Sequence, residues 1–200
     1  MSEKNGRPRD MNIKYKVLSV TYKMLVDRGF QAITMEKIAT ESGSSKATLY
    51  RWWPSKSAIL LEAVQERADS YPTFDDTGDV RKDLLSEIQG VITYYNGTTG
   101  KAMLDLIAHS RFEQELGEVI RDHFINKWRE ATTKILGLGI SRKQLRPDLQ
   151  FDLFMDSVWG AIYYRLLVYK MPMPSEYAKS LLDMIWPTIA LQESIKKHGE

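Results

Sequence analysis

The sequence predicts an all-α protein with a small amino-terminal part and a larger carboxyl-terminal part. Apolar residues recur at helical spacing in almost every segment, and no β-hairpin dipeptide stands between two sustained alternating apolar-polar runs. The stretch YPTFDDTGD, residues 71–79, contains proline, glycine and three aspartates and has no period, which indicates a domain boundary. We therefore expect one domain over residues 1–56, continuing into a connecting helix over 57–70, and a second over 71–200.

Composition indicates a cytoplasmic protein with no membrane contact. The amino terminus, MSEKNGRPRDMN, is polar and lacks the apolar stretch of a signal peptide. The most apolar segment, LFMDSVWGAIYYRLLVY, is interrupted by Asp156 and Arg165 and predicts a buried helix rather than a membrane span. The chain has no cysteine, which excludes disulfides, thiolate nucleophiles and cysteine-ligated metals.

Charge is distributed unevenly along the chain. Residues 1–56 hold 11 Lys or Arg against 5 Asp or Glu, whereas the remainder holds 17 against 21. A basic end joined to a mildly acidic body favours a nucleic-acid contact confined to the first segment. A solvated basic face without a partner would have the same imbalance, so charge alone leaves both interpretations open.

The first helix carries apolar residues at helical spacing from Ile13 to Met24, and Gly29 can end it as a left-handed cap. Thr34 is a good N-cap for a short second helix, MEKIATESG, which Gly43 interrupts. Ser44 or Ser45 caps a third helix. These two short helices meet at a tight glycine turn.

Proline then separates the third helix from a fourth. The residue before Pro54 avoids helical geometry, so the third helix should end there. Ser55 caps the fourth helix, KSAILLEAVQERADS.

The carboxyl-terminal part predicts five further helices. Their expected positions are 80–95, 101–110, 112–138, 150–169 and a last helix from about Glu176. The segments NGTTG, GLGISRKQLRPD and MPMPS should connect them as loops or turns.

The third helix has two faces with different chemistry. Leu49 and Trp53 stand one turn apart and can anchor the helix on its neighbours, while Ala47, Thr48 and Arg51 point the opposite way. A helix that reads DNA needs a buried edge to hold its position and an exposed edge to contact bases and phosphates. Two short helices of this kind match the helix-turn-helix pattern.

The segment RGFQAITMEKIATESGSSKATLYRWWPSKSAILLEAV resembles the amino-terminal domain of the TetR family of bacterial transcriptional regulators. The resemblance covers roughly the first third of the chain. It implies a three-helix DNA-binding domain on a larger helical domain that dimerises and binds a small effector. LRPD and YYRLLV are similar to one subgroup of that family.

The resemblance implies contacts with double-stranded operator DNA at seven positions in and around the helix-turn-helix. They are Thr34, Ser45, Lys46, Thr48, Tyr50, Trp52 and Lys56. Trp52 stands where a histidine or basic residue is usual, so a phosphate contact there would use its indole N–H. Helix capping alone is the alternative explanation for Thr34 and Ser45.

The basic segment GRPRD precedes the expected first helix. Its Arg7 and Arg9 could enter the minor groove of A·T-rich DNA, where the potential is most negative. A solvated leader is the alternative.

The sequence contains no catalytic constellation. Its three histidines lie far apart, and no glycine-rich phosphate loop or nucleophile elbow occurs. We therefore expect no enzyme activity, no metal and no cofactor.

The helix expected at 150–169 is apolar on nearly every side, so it must be covered all round. A second copy of the chain is the economical cover, in agreement with the dimers of the family. The residues expected at this homodimer interface are Phe154, Ile162, Leu166, Tyr169, Leu181, Ile185 and Ile189.

Aromatic and sulphur-containing side chains of the second part predict a pocket for a flat or hydrophobic organic effector. The candidates are Met103, His109, Phe124, Trp128, Trp159 and Tyr163, each of which could instead be ordinary core. The functional prediction is a dimeric DNA-binding repressor released by such an effector. The alternative is a helical dimeric adaptor or binding protein without sequence-specific DNA binding.

Overall fold

The computed structural model describes residues 7–67 and 75–191, and within them it describes side chains from Met11 onward. These ranges form ten α-helices, with a 3-10 turn at Phe30–Ala32 and π-helical segments at Arg121–Ile125 and Tyr164–Val168. The helices are α1 (Arg7–Arg28), α2 (Met35–Ser42), α3 (Lys46–Trp52), α4 (Lys56–Gln65), α5 (Val80–Asn96), α6 (Thr98–His109), α7 (Gln114–Ile120), α8 (Asn126–Ser141), α9 (Phe151–Tyr163) and α10 (Tyr177–Ile189). The predicted all-α class is confirmed: within the described ranges, β pairing is limited to one antiparallel bridge between Leu145 and Ala190.

Helix α1 begins earlier than the sequence predicts. Its first residue is Arg7, so the backbone of residues 7–10, expected to precede the helix, is helical. Pro8 lies in the first turn, where a helix tolerates a missing N–H. The side chains of Arg7 and Arg9 lie outside the described residues, as does the segment 68–74 that contains the start of the expected domain boundary.

Two predicted loops are partly helical. Helix α6 begins at Thr98, inside the expected NGTTG connection, and α8 continues to Ser141, into the first five residues of the expected loop GLGISRKQLRPD. Gly139 lies within α8 at a position where neighbouring side chains leave no room for a Cβ. A Cβ there would stand 2.7 Å from Cδ1 of Leu145 and 2.8 Å from Cγ2 of Val80. The glycine therefore serves packing rather than a turn.

Residue contacts divide the chain into two compact units, residues 1–69 with 98–121 and residues 70–97 with 122–200. The first unit has a core of large apolar side chains from α1 to α4, α6 and α7. It includes Val17, Met24, Phe30, Ile38, Leu49, Trp53, Ile59, Leu60, Met103, Leu106 and Leu116. Helix α6 is therefore part of the unit that contains the helix-turn-helix.

The second unit is built on α5, α8, α9 and α10. Its buried side chains include Leu84, Ile88, Tyr95, Phe124, Ile135, Leu136, Phe154, Val158, Ile162, Leu182 and Trp186. The side-chain amide of Gln144 accepts from the N–H of Val80 at 2.9 Å and donates to the carbonyl of Gly78 at 2.8 Å. This residue fixes the start of α5 to the segment after α8.

Over the described ranges, no helix is both long enough and apolar enough to cross a membrane.

Candidate functional site

The two short helices of the first unit are capped as the sequence predicts. The Oγ1 of Thr34 accepts from the N–H of Lys37 at 3.3 Å, and the Oγ of Ser45 accepts from the N–H of Thr48 at 3.1 Å. Gly43 ends α2 with a φ of +66°, a left-handed conformation that glycine adopts without a Cβ penalty. The caps and the turn fix where α3 starts relative to α2.

The buried edge of α3 holds it against the rest of the first unit. Leu49 is fully buried and Trp53 is 2% exposed, which confirms the predicted anchor. The indole N–H of Trp53 donates to Oε2 of Glu62 on α4 at 2.5 Å, and Lys14 on α1 lies 2.6 Å from Oε1 of the same carboxylate. Apolar burial and this carboxylate together determine the orientation of the helix.

The opposite edge of α3 faces solvent. Ser45, Lys46, Ala47, Tyr50 and Arg51 are exposed, with Tyr50 at 52%, and Thr48 is half-buried. A basic, hydroxyl-bearing edge with a small residue at its centre suits contact with a DNA groove.

Lys46 forms an ion pair with Glu36 on this surface. Its Nζ lies 2.5 Å from Oε1 of Glu36 on α2. The hydrogen bond from Lys46 is the main cause that lowers the pKa of Glu36 to about 2. The structure thus pairs a predicted phosphate-binding cation with an acid on the same surface.

Trp52 and Lys56 lie in less open positions than the sequence predicts. The indole nitrogen of Trp52 is buried, and among the described residues it has no hydrogen-bond partner, so this placement gives no support to a phosphate contact through that N–H. Lys56 Nζ sits 3.6 Å from the ring centroid of Phe30 and 3.7 Å from a carboxylate oxygen of Glu113. A phosphate would therefore compete with Phe30 and Glu113 for the ammonium group of Lys56.

Two of the predicted pocket residues belong to the first unit. Met103 is fully buried in its core, and His109 stacks on Phe30 with ring centroids 4.8 Å apart. His109 Nδ1 also lies 2.8 Å from the main-chain oxygen of Asp105. Both are core or helix-end residues of this unit.

The second unit contains a pocket of about 410 Å³ between the start of α8 and α9. The lining residues are Ile125, Trp128, Arg129, Met155, Asp156, Trp159, Gly160 and Tyr163. Three of the six predicted residues, Trp128, Trp159 and Tyr163, are thus brought together at one site. Phe124 packs behind them, 4.9 Å from the ring centroid of Trp128.

The pocket's aromatic rings form an inclined wall. The indoles of Trp128 and Trp159 lie 6.4 Å apart at 56°, and Tyr95 backs Trp128 at 5.8 Å. The hydroxyls of Tyr163 and Tyr95 are hydrogen-bonded at 2.9 Å, and burial raises the pKa of Tyr163. The hydroxyl bond fixes one side of the pocket.

Sequence reasoning missed the polar residues of this pocket. Arg129 follows Trp128 directly, and Asp156 and Gly160 lie three residues before and one residue after Trp159. Helical spacing points to Asp156 alone, because it lies three residues before Trp159 and residues three apart share a helix face.

The predicted dimer residues divide into buried and accessible sets. Phe154, Ile162, Leu181 and Ile189 are buried within the chain, so they have little surface left to lose on association; Leu166 and Ile185 are half-buried and Tyr169 is 60% exposed.

The accessible apolar side chains of α9 and α10 are different ones. Leu153 is 62% exposed and Met184 is 70% exposed. A groove of about 340 Å³ is lined by Leu153 and Ser157 of α9 together with Ile185 and Thr188 of α10. The two helices thus share one accessible face.

Across the described ranges, no three histidine or acidic side chains are grouped closely enough to hold a metal ion.

Two family models match this chain. Residues 17–63 match the model described as bacterial regulatory proteins of the tetR family, and residues 74–185 match the tetracyclin repressor-like carboxyl-terminal domain. The first match contains the helix-turn-helix and the second contains the aromatic pocket.

Curated relatives match three quarters or more of this chain. The chain is 30% identical to the HTH-type transcriptional regulator YdeS of Bacillus subtilis, over 91% of this chain and 92% of that protein. It is 23% identical to the DNA-binding transcriptional repressor TetR of Mycobacteroides abscessus, over 75% and 80% of the two chains.

Solved structures share the fold. The TetR family transcription regulator SCO0332 superposes with a TM-score of 0.67 at 29% identity, covering 90% of this chain and all of the other. A TetR regulator from Agrobacterium tumefaciens has a TM-score of 0.74 at 17% identity, covering 94% of this chain and all of its own.

Proposed function

Because this chain belongs to the TetR family of helix-turn-helix transcriptional regulators, we propose that it represses transcription by binding operator DNA as a homodimer. In this proposal a small organic molecule in the α8–α9 pocket releases the DNA. As a regulator of bacterial DNA the protein would act in the cytoplasm, without enzyme activity.

The exposed edge of α3 is the observation that carries the DNA-binding proposal. Leu49 and Trp53 are buried while Lys46, Tyr50 and Arg51 are exposed, which is the arrangement that a recognition helix needs. Thr34 and Ser45 are caps whose hydroxyls have further partners, since Thr34 is hydrogen-bonded to Glu36 and Ser45 Oγ lies 2.9 Å from Oγ1 of Thr48. A phosphate contact by either hydroxyl would replace one of these bonds. Arg7 and Arg9 remain proposed minor-groove contacts.

The homodimer is supported by the accessible face of α9 and α10. Leu153, Tyr164 and Met184 are more than half exposed, and large apolar side chains at this density on adjoining helices favour a protein partner. A two-fold dimer would present two recognition helices about 34–36 Å apart, one turn of DNA.

The effector is supported by the pocket itself. A volume of about 410 Å³ lined by two indoles, a phenol and a few charged groups matches the usual composition of small-molecule sites. An effector can change DNA affinity only if it binds the DNA-bound and the free conformations unequally.

The deciding experiment measures fluorescence anisotropy of a labelled duplex from the region upstream of the protein's own gene. Tyr50→Ala and Lys46→Ala should each weaken binding by about five- to 150-fold, corresponding to about 1–3 kcal/mol. Matched controls are Tyr15→Ala and Lys23→Ala, which remove the same side chains from exposed positions of α1.

The outcome separates the two candidate functions. Loss of binding in the α3 variants, with normal binding by the α1 controls, supports the regulator. Equal affinity in all four variants, or no preference for the upstream duplex over an unrelated one, would favour the helical adaptor without sequence-specific DNA binding.

A further inference from the structure

The aromatic pocket of the second unit carries an unbalanced negative charge. Asp156 lines the pocket, and its side chain is exposed. Among the described residues, no cation lies within ion-pairing distance of Asp156. The carboxylate therefore presents its charge to whatever occupies the pocket.

The one cation in the lining is already paired. Arg129 Nη2 lies 2.5 Å from Oδ1 of Asp152, one helical turn before Asp156 on α9. A guanidinium held by a carboxylate at this distance contributes little net field at the pocket. Arg129, Asp152 and Asp156 together leave one negative charge beside the rings.

The rings themselves favour a cation. Indole has the most negative face of the aromatic side chains, and a cation near such a face is attracted by its quadrupole. Trp128 and Trp159 are inclined at 56° with centroids 6.4 Å apart, so they form an angled wall rather than a flat stack. A compact positively charged group can contact both rings from that angle.

We propose that the pocket takes an organic cation, with an ammonium or quaternary ammonium group held by Trp128, Trp159 and Asp156. The inference rests on the proposed effector role and names the chemical class of that effector. Met155 and Ile125 supply apolar surface for the remainder of the molecule.

Isothermal titration calorimetry of the full chain without DNA tests the ligand class directly. Three probes separate charge from shape: benzyltrimethylammonium, its uncharged carbon isostere neopentylbenzene, and benzoate. The cation should bind at least about tenfold more tightly than the isostere, since both indoles and a carboxylate favour its charge. Benzoate should not bind measurably.

Variants then assign the charge preference to named residues. Asp156→Asn should lower the affinity for benzyltrimethylammonium about tenfold and leave that for neopentylbenzene unchanged. Trp159→Leu should lower the affinity for benzyltrimethylammonium about fivefold or more, whereas Trp159→Phe should retain part of that affinity. Asp75→Asn, an exposed aspartate of the same unit outside the lining, is the matched control and should bind like the parent chain.

Each result decides the proposal. Equal affinity for the cation and its isostere, preferential binding of benzoate, or an Asp156→Asn affinity like that of Asp75→Asn would overturn it. Circular dichroism of each variant checks that the protein is still folded, so that a loss of binding is not caused by unfolding.

The proposed function is tested separately by adding the cation to the protein–duplex complex. Cation binding that depends on Asp156 but leaves DNA affinity unchanged would support this ligand class and overturn the effector role. A chain that binds the cation but no duplex would overturn the DNA-binding proposal alone.

Discussion

The main-chain N–H of Phe30 donates a hydrogen bond to Oδ2 of Asp105 at 2.7 Å. This bond ties the 3-10 turn that precedes α2 to helix α6, within one compact unit. Phe30 is 2% exposed, so water has little access to its N–H, and removal of the carboxylate would leave this donor without an acceptor. The contact makes α6 a support of the helix-turn-helix.

Asp105→Ala should therefore destabilise the first unit by about 1–3 kcal/mol, the cost of leaving a buried donor unpaired. The check is the midpoint of urea unfolding, followed by tryptophan fluorescence. Glu115→Ala, which removes an exposed carboxylate from α7, should stay within about 0.5 kcal/mol of the parent. A midpoint for Asp105→Ala equal to that of the control would show that the bond contributes nothing.

Glu36→Gln should strengthen DNA binding by about threefold or more. The change removes a negative charge from the proposed DNA surface and frees Lys46, now 2.5 Å from the Glu36 carboxylate, for a phosphate. Anisotropy titrations at several salt concentrations should also give a steeper salt dependence. Glu66→Gln, an exposed acid of the same unit, should leave both quantities unchanged; weaker binding by Glu36→Gln would contradict the assignment.

Glu87 should make the protein less stable as the pH rises from about 4.5 to about 7. Burial raises the pKa of this carboxyl from 4.5 to about 7, although Thr132 Oγ1 donates to its Oε1 at 2.7 Å. Because the folded pKa lies above the unfolded one, folding favours the protonated form, and this advantage is lost through that pH window. The loss is roughly 3 kcal/mol at most.

Urea midpoints of the parent chain and Glu87→Gln at pH 5 and pH 7.5 measure this effect. Relative to the parent chain, Glu87→Gln should have a higher free energy of unfolding at pH 7.5 than at pH 5. Carboxylates whose pKa is lowered, such as that of Asp76 at about 2, titrate below this window and do not disturb the comparison. A difference independent of pH would mean that Glu87 is ionised in the folded state throughout.

Two glycines of α8 should respond oppositely to alanine. A Cβ at Gly139 would lie 2.7–2.8 Å from side-chain carbons of Leu145 and Val80, so Gly139→Ala should destabilise by about 1–3 kcal/mol. Gly137 has no such neighbour within 4 Å, and Gly137→Ala should stabilise by about 0.5–1 kcal/mol through helix propensity. Thermal melts of both variants give the comparison, and a shift of the same sign in both would refute the packing explanation.

Leu153→Arg combined with Met184→Arg should dissociate the proposed dimer. Both side chains are largely exposed on α9 and α10, and a buried unpaired guanidinium would weaken association at least tenfold. Sedimentation equilibrium at micromolar concentration should give a dimer for the parent and a monomer for the double variant. Phe112→Arg, an 85% exposed apolar side chain of the other unit, should remain dimeric; a parent chain that sediments as a monomer would exclude the homodimer.

The sequence alone determined the helical class, the capped helix-turn-helix and the anchors Leu49 and Trp53. These features follow from local rules: helical spacing, N-cap hydroxyls and a glycine with a positive φ depend on residues within one or two turns. The same locality explains why the caps and the buried edge of α3 could be predicted residue by residue.

Tertiary structure decided which side chains share a site. Met103 and His109 were grouped with the pocket residues, but α6 places both in the other unit, Met103 in its core and His109 at the end of the helix. Phe154 and Ile162 are already buried within the chain. Arg129 and Asp156 became pocket residues only because α8 packs beside α9. Periodicity reports which face of a helix is apolar, but it does not report what that face packs against, since this depends on contacts between residues far apart in the chain.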